Sequence, residues 1–196
     1  MKRKGFTLIE LLVVIAIIAI LSVVVILTLN PAELLRQSRD SNRISDLSTI
    51  KTAVLFYLDT ATVPNLASSS FGYTACYLST TSGNGTTSAK CGVFSGTGIT
   101  TDASTTSANY RNINSTGWIP INFSSLVGGT PFGSLPVDPT NNATYYYSYA
   151  ASTSLVFQVD AFMESSKYGV GGSNNVAGTD GGENSNVYEV GSNLFL

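Results

Sequence analysis

An uncharged apolar run near the N-terminus, from Leu11 to Leu29, constrains this chain more than any other feature. The run is 19 residues long, and only Ser22 and Thr28 interrupt it. At about 1.5 Å per residue an α-helix of this length covers roughly 28 Å, which is close to the hydrocarbon thickness of a bilayer. The run therefore predicts a membrane-spanning helix.

A short basic segment, Met1 to Gly5, precedes this run and contains Lys2, Arg3 and Lys4. Because positive residues favour the cytoplasmic side of a membrane, we expect a cytoplasmic N-terminus and an exported C-terminal part. The segment is too short for an ordinary secretory signal, and no small-residue cleavage site follows the apolar run. A cut after Gly5 would leave the apolar helix on the mature protein.

Glu10 lies at the edge of the apolar helix. A carboxylate at depth in a membrane costs up to about 2.5–3.5 kcal/mol, and such residues tend to be functional. A cut after Gly5 would create a positive partner, the new α-amino group of Phe6, on a neighbouring chain or at i, i+4 on the same helix. The alternative is a carboxylate that simply reaches the membrane interface.

Residues 4 to 18 read Lys-Gly-Phe-Thr-Leu-Ile-Glu-Leu-Leu-Val-Val-Ile-Ala-Ile-Ile. They resemble the prepilin leader and N-terminal helix of type IV pilins and type II secretion pseudopilins. In that family a membrane peptidase cleaves after the glycine and methylates the new N-terminus. The resemblance implies that Gly5 is the cleavage-site residue, Phe6 the N-methylated residue and Glu10 the assembly carboxylate.

The same resemblance implies the type IV pilin fold, of class α+β, in which a long kinked N-terminal α-helix packs on a small C-terminal antiparallel β-sheet. The chain then divides into five predicted parts. These are a cleaved leader at 1–5, a transmembrane and filament-core helix at 6–30, an amphipathic half-helix at 31–59, a polar connection at 60–117 and a sheet-bearing head at 118–196.

The two helical parts meet at Asn30-Pro31. Pro31 has no N–H and its ring clashes with the preceding turn, so the helix should break or kink there. The same residues also signal a helix start, with Asn30 at N-cap, Pro31 at N1 and Glu33 at N3. A plain kink in the isolated subunit and unwinding in an assembled filament are both open interpretations.

The segment 31–59 has an amphipathic pattern. Its apolar residues recur at spacings of three and four and predict a face that covers the sheet. They are Ile44, Leu47, Ile50, Val54 and Leu58. Arg36, Arg39 and Arg43 form a basic stripe on the membrane side. We expect local pairs such as Arg36–Asp40 and Asp40–Arg43, or pairing with neighbouring subunits and lipid head groups.

The polar connection 60–117 is too long for a bare loop in a compact domain. It contains the only two cysteines, Cys76 and Cys91, which should form a disulfide in an oxidising compartment. Closing this loop contributes on the order of 3 kcal/mol in the chain-entropy model. A metal or redox pair is the weaker alternative, because the chain has no His and the spacing is not Cys-x-x-Cys.

The strands of the head are predicted near the C-terminus, at Ala143–Ala150, Leu155–Phe162 and Val187–Val190, the last joined by Leu194–Leu196. Three antiparallel strands with one apolar face need a cover, and the amphipathic helix supplies it. The segment Leu135–Pro139 is similar to the one that precedes the sheet in major pseudopilins. The C-terminal cysteine pair of many pathogen pilins is absent.

A Gly- and Asn-rich stretch, Gly169–Asn186, separates the second and third predicted strands and contains Asp180-Gly-Gly-Glu183. Major pseudopilins bind calcium in a corresponding loop, so the resemblance makes Asp180 and Glu183 candidate ligands, and carboxylate oxygens suit Ca²⁺. The alternative is a solvated acidic turn. No other cofactor is expected.

The composition argues against nucleic-acid binding and against catalysis. The whole chain has 10 Lys+Arg and 12 Asp+Glu, and loss of the three leader cations leaves 7 against 12, a formal charge of −5. That balance predicts no general affinity of the head for nucleic acid. No His is present to act as a base, and no Gly-rich phosphate loop follows a strand, so an enzyme is not expected.

The sequence therefore predicts a major pilin-like structural subunit of a type IV pilus-like surface filament. Expected partners are copies of itself, a prepilin peptidase and methyltransferase, an inner-membrane assembly platform with its ATPase, and the membrane before assembly. The chain would first cross the inner membrane once, with its C-terminus outside, and later join an extracellular filament. A pseudopilin of a type II secretion system and a surface-binding or adhesin module on the filament are the alternatives.

Overall fold

A computed structural model describes residues 5–80, 90–91, 93–94, 98–105, 108–126 and 128–196. Residues 1–4 of the predicted leader lie outside the described residues. Two helices come first, α1 over Leu8–Leu29 and α2 over Pro31–Thr60. Five strands follow: β1 over Ala75–Leu78, β2 over Thr101–Ser104, β3 over Tyr147–Ala151, β4 over Phe157–Ala161 and β5 over Tyr188–Gly191.

The chain forms two compact units, Met1–Arg36 and Gln37–Leu196. The first unit contains α1 and the first residues of α2. The second unit contains the rest of α2 and all five strands. The predicted α+β class, with N-terminal helices and a mostly antiparallel sheet, is confirmed.

Helix α1 is apolar on all sides, and none of its residues between Leu8 and Ile26 is buried within the structure. It is the one helix in the described part of the chain that is long and apolar enough to cross a membrane. Its polar side chains are satisfied internally, since the Ser22 hydroxyl donates to the carbonyl oxygen of Ile18 at 2.7 Å. The helix thus presents a largely apolar surface that needs lipid or protein around it.

The sheet has the strand order β2-β1-β3-β4-β5. The β1 and β2 strands pair in parallel, and every other neighbouring pair is antiparallel. β3, β4 and β5 lie in or next to the three runs that the sequence predicts. The segment Leu194–Leu196, predicted to join the third strand, forms no strand.

The prediction of a three-stranded sheet is wrong in one respect, because β1 and β2 come from the region 60–117 that was expected to be a polar connection. Each of these strands has only four residues. β2 reads Thr-Asp-Ala-Ser, which has no apolar alternation and therefore no strand signal in the sequence. Pairing with β1 holds it in the sheet, and this pairing is a tertiary feature.

Helix α2 covers one face of the sheet, as its apolar spacing predicts. Leu47, Ile50 and Val54 of α2 are fully buried in the main core, while Leu58 packs at its edge. The strands contribute alternate residues to the same core. These are Ala75, Tyr77, Ala103, Tyr147, Tyr149, Ala151, Phe157, Val159, Ala161 and Val190.

The opposite face of the sheet is also buried, although the sequence predicts a cover on one face only. We call it the second face. Its apolar residues form a separate cluster to which the strands, the disulfide region and the C-terminal residue contribute. The members are Cys76, Leu78, Cys91, Val93, Phe94, Tyr146, Ala150, Val187 and Leu196.

Candidate functional site

The N-terminus of α1 is closed by a capping box formed by Thr7 and Glu10. The Glu10 carboxylate accepts hydrogen bonds from the Thr7 backbone N–H at 2.8 Å and from the Thr7 hydroxyl at 2.7 Å. The Glu10 N–H donates to Thr7 Oγ1 at 3.3 Å. Reciprocal bonds of this kind satisfy donors that a helix start would otherwise leave unpaired. The predicted assembly carboxylate thus already has an intramolecular partner.

The predicted processing residues stand at the exposed start of the same helix. Phe6 is 79% exposed, and no atom lies within 4 Å of the position that a Cβ would take on Gly5. Both residues precede α1 and carry no regular secondary structure. No other part of the described chain therefore crowds the backbone at Gly5, and the Phe6 side chain is accessible.

Asn30 ends α1 and starts α2. Its backbone is left-handed, with φ 41° and ψ 73°, a conformation that Asn tolerates better than most residues. Glu33 N–H donates to the Asn30 backbone oxygen at 3.0 Å and to Asn30 Oδ1 at 3.4 Å. With Pro31 as the first residue of α2, the Asn-Pro pair acts both as a helix stop and as a helix start.

A cluster of charged side chains surrounds Arg43, which is fully buried. Its guanidinium donates to Asp138 through Nε at 2.6 Å and through Nη2 at 2.8 Å. It also donates to Asp40 at 2.7 Å and to Glu164. The ring of Tyr145 lies 5.1 Å from the guanidinium carbon. One cation of α2 thereby connects the helix to two segments of the head.

The carboxylates of this site also organise the backbone around them. Asp40 accepts from the N–H groups of Glu164 at 2.9 Å and Ser165 at 2.8 Å. Asp138 accepts from the N–H groups of Thr140 at 2.8 Å and Asn141 at 3.1 Å. Each buried acid thus has both a charged and a backbone partner, the condition under which a buried charge is tolerated.

This finding corrects the prediction that Arg36, Arg39 and Arg43 form one basic stripe. The predicted Asp40–Arg43 pair is present, but both side chains are fully buried, so Arg43 is unavailable to other subunits or to lipid. Arg39 binds Glu164, and Arg36 pairs with Glu33 at 3.8 Å instead of the predicted Asp40.

The sequence contained a signal for this burial. Asp40 and Arg43 precede Leu47, Ile50 and Val54 at spacings of three and four, so they extend the buried stripe of α2. Because long charged side chains are rarely buried without partners, a sequence pattern alone assigns them to the solvent-exposed side of the helix.

Cys76 and Cys91 are joined by a disulfide, with Cα atoms 5.6 Å apart. Both residues belong to the apolar cluster of the second face. Asp102 lies close enough to form a three-residue group with them, but cysteines bound to each other offer no thiolate to a metal. The bond therefore secures β1 to the segment that covers the second face.

The predicted calcium residues lie in the loop before β5. Asp180 Oδ1 accepts from Gly182 N–H at 3.0 Å, and Oδ2 accepts from Glu189 N–H at 2.8 Å. Glu183 is exposed. Within the described residues, this pair does not gather with a third carboxylate or cysteine into a metal-sized group. The acidic side chains alone thus do not supply the six to eight oxygens that calcium takes, and main-chain and amide oxygens would have to complete the set.

Comparison with known families places one match at the N-terminus. Residues 1–26 match the family model described as the prokaryotic N-terminal methylation motif. No curated protein and no solved structure matches the chain. The matched residues contain Gly5, Phe6 and Glu10 and most of the exposed apolar surface of α1. The chain therefore carries the prepilin-like leader of type IV pilins and pseudopilins.

Proposed function

We propose that this chain is a structural subunit of a type IV pilus-like surface filament, and a major one. The observation that carries the proposal is the N-terminal methylation motif followed by a helix with no protein cover. An apolar helix of this kind is stable in a bilayer or against other apolar helices. A filament whose core is made of such helices would surround α1 with other apolar helices.

In the proposed sequence of events, the chain is stored in the inner membrane, with α1 across the bilayer and the head outside. A prepilin peptidase cuts after Gly5 and methylates the amine of Phe6. An assembly platform driven by an ATPase then moves α1 from lipid into the core of a fibre. Asn30 and Pro31 provide a place where the helix can change direction or unwind during this transfer.

Within the fibre, the carboxylate of Glu10 would pair with the Phe6 amine of a neighbouring subunit. In the single chain this carboxylate accepts two hydrogen bonds from Thr7. A carboxylate has more acceptor sites than these two bonds occupy, so an added amine can be accommodated. In an apolar core such a pair is much stronger than in water, which makes it suited to fix the axial register of subunits.

A type II secretion pseudopilin is the second candidate, favoured by the segment Leu135–Pro139. Leu135 is fully buried in the main core, and the carbonyl oxygen of Pro136 accepts from the Trp118 indole N–H at 2.9 Å. Asp138 binds Arg43. The segment that is similar to major pseudopilins therefore connects the main core to α2.

Microscopy of cells lacking this chain tests the proposed function directly. A major pilus subunit predicts that long surface fibres disappear and that the wild-type gene restores them. A pseudopilin predicts normal surface fibres and a loss of protein secretion. Normal fibres together with normal secretion would exclude both functions.

Processing should depend on the size of residue 5. We expect Gly5→Leu to accumulate as uncleaved membrane precursor, because a bulky side chain at the cut site obstructs the peptidase. Gly5→Ala is the matched control and should be processed. A Cβ at this position meets nothing within 4 Å, so the chain itself should tolerate both changes. Intact-mass spectrometry showing mature protein from Gly5→Leu would contradict the assignment.

Calcium binding near Asp180 and Glu183 stays a prediction that separates the two functions, since it favours the pseudopilin. An ion that binds only the folded state raises the free energy of unfolding by mass action. The Tm of the full chain in detergent should therefore rise with millimolar Ca²⁺ and fall with chelator. Asp180→Asn should lose the response, and Asp59→Asn, an exposed acid of α2, should keep it. A Tm that ignores calcium in the wild type would rule out the site.

A further inference from the structure

A cavity of about 80 Å³ lies at the β2 edge of the sheet and is partly open to solvent. One buried water needs roughly 10–15 Å³, so the cavity has room for several waters or for part of a small molecule. Its lining comes from three parts of the chain, which are the segment after α2, the strands β1 and β2, and the segment 115–120. The cavity is therefore separate from the residues assigned above to processing, assembly and calcium.

The polar part of this lining consists of hydroxyl groups. Five serine or threonine side chains contribute to it, and they are Ser68, Ser70, Ser104, Thr105 and Ser115. None of the described lining residues carries a charge. An ion that entered would lose its hydration without gaining a charged partner, which is a large cost. The lining therefore favours a neutral occupant that exchanges hydrogen bonds with hydroxyl groups.

The apolar part of the lining includes an aromatic ring at the surface. Phe71 is 43% exposed, and Ala103 and Pro120 contribute smaller apolar groups. An exposed ring beside hydroxyl groups suits a molecule that has one apolar and one polar side. A pyranose ring has this character, because its C–H groups can pack on the negative face of an aromatic ring while its hydroxyls bond to side chains.

Hydrogen bonds within the wall hold Phe71 in place. The Ser68 hydroxyl oxygen accepts from the N–H of Ser70 at 3.2 Å and from the N–H of Phe71 at 3.0 Å. The Tyr77 hydroxyl of β1 accepts from the Ser68 N–H at 2.8 Å and donates to the carbonyl oxygen of Gly72 at 2.7 Å. The chain is thus tied to β1 on both sides of Phe71. A wall fixed in this way loses little conformational entropy when a ligand binds.

One hydroxyl of the lining has no partner of its own. The side-chain oxygen of Thr105 is buried and forms no hydrogen bond within the described part of the chain. A buried hydroxyl without a partner is destabilising, because it has lost its hydrogen bonds to water. A staggered rotation about the Cα–Cβ bond can turn this hydroxyl towards an occupant of the cavity. A ligand hydroxyl would then supply the missing partner.

We propose that this cavity binds one neutral sugar ring, the terminal unit of a glycan. The ring stacks on Phe71, and its hydroxyls bond to Thr105 and to the serines of the lining. This inference goes beyond the structural function proposed above, because binding by the head of one subunit requires no filament. Failure of the sugar site would therefore leave the filament function untouched, and loss of the filament function would leave the sugar site untouched.

Saturation-transfer NMR tests the site on the full chain, in a detergent that carries no sugar head group. The probes are the methyl glycosides of β-galactose, β-glucose and α-mannose at millimolar concentration. We expect transfer to at least one of them and none to glucuronate, whose charge the lining does not compensate. Absence of transfer to all three glycosides overturns the proposal, as does equal transfer to glucuronate. Transfer to N-acetylprolinamide and to no glycoside would identify a docking point for protein and also overturns it.

Two variants locate the binding within the cavity. Phe71→Ala removes the exposed ring, and Thr105→Val replaces the hydroxyl with a methyl group of similar size. Each should weaken binding of the glycoside with the strongest transfer by roughly tenfold. Because the Thr105 hydroxyl has no partner to lose, Thr105→Val should leave Tm unchanged or raise it, so unfolding would not explain its loss of binding.

Phe195→Ala is the matched control for the aromatic variant. The Phe195 ring is 61% exposed and lies outside the lining of the cavity, so this variant should bind the glycoside as the wild type does. Wild-type affinity in either Phe71→Ala or Thr105→Val overturns the assigned site. An equal loss of binding in Phe195→Ala overturns it as well.

Discussion

Replacing Arg43 with methionine should lower the free energy of unfolding of this chain by about 3–5 kcal/mol. Removing the guanidinium leaves the carboxylates of Asp40 and Asp138 buried without their cation. Glu164 keeps Arg39 as a partner. For a chain of this size the loss corresponds to a Tm decrease of roughly 6–20 °C.

Urea unfolding of the full chain in detergent, followed by Trp118 fluorescence, measures this loss. Arg36→Met is the matched control, because the Arg36 side chain is 53% exposed and its pair with Glu33 spans 3.8 Å. Exposed pairs contribute about 0–1 kcal/mol, so the control should be near wild type. Arg43→Lys keeps the charge but lacks the fork that contacts Asp138 twice, and should fall between the two. Equal effects of Arg43→Met and Arg36→Met would show that the buried site does not stabilise the head.

The charged site around Arg43 also makes the stability of the head decrease at low pH. Burial alone would raise the pKa of Glu164, but hydrogen bonds from Arg39, Arg43 and Thr140 outweigh it and hold the pKa at about 2. Because the folded-state value is depressed, this contribution is present above about pH 4.5 and disappears as the pH falls towards 2.

Glu10→Val should sharply reduce the yield of filaments while leaving membrane insertion and leader cleavage intact. Loss of the charge leaves the membrane insertion of α1 unchanged or makes it easier. Assembly loses the proposed partner of the Phe6 amine in an apolar core. Since about 1.4 kcal/mol per contact already changes an equilibrium tenfold, we expect the yield of sheared fibres to fall by roughly tenfold or more. Membrane fractionation and electron microscopy measure the two steps separately.

Glu10→Gln separates the charge from the cap. Glutamine at this position can still complete the capping box with Thr7, because a side-chain amide oxygen accepts the same backbone N–H. If the charge drives assembly, Glu10→Gln fails as completely as Glu10→Val. Normal fibres from Glu10→Gln would assign Glu10 to the helix cap and remove it from the assembly contact.

Local sequence patterns were sufficient to predict the helices and the strands near the C-terminus. The 3.6-residue periodicity of Leu47, Ile50 and Val54 places them on one buried face without knowledge of what covers them. The Asn30-Pro31 pair acts through backbone chemistry of its immediate neighbours. Predictions of this kind succeed because the responsible interactions span at most a few residues.

The buried charges could not be assigned in this way. Arg43 has its partner Asp138 95 residues further along the chain. A cation is more stable in water than in the protein interior unless an acidic partner contacts it there. Sequence spacing does not reveal whether a distant residue provides that contact. Asp160 and Glu189 look like ordinary outward-facing residues of an alternating strand, and only the cover of the second face buries them.

The sequence by itself determined the length and apolar character of α1, the methylation motif and the helix break, because each depends on composition and order within one short segment. Only the tertiary structure decided that β1 and β2 join the sheet, that both faces are covered and that the acids near α2 and on β4 and β5 are buried. The physical reason is that desolvation is set by whichever distant segment folds over a residue, so burial is a property of the assembled fold.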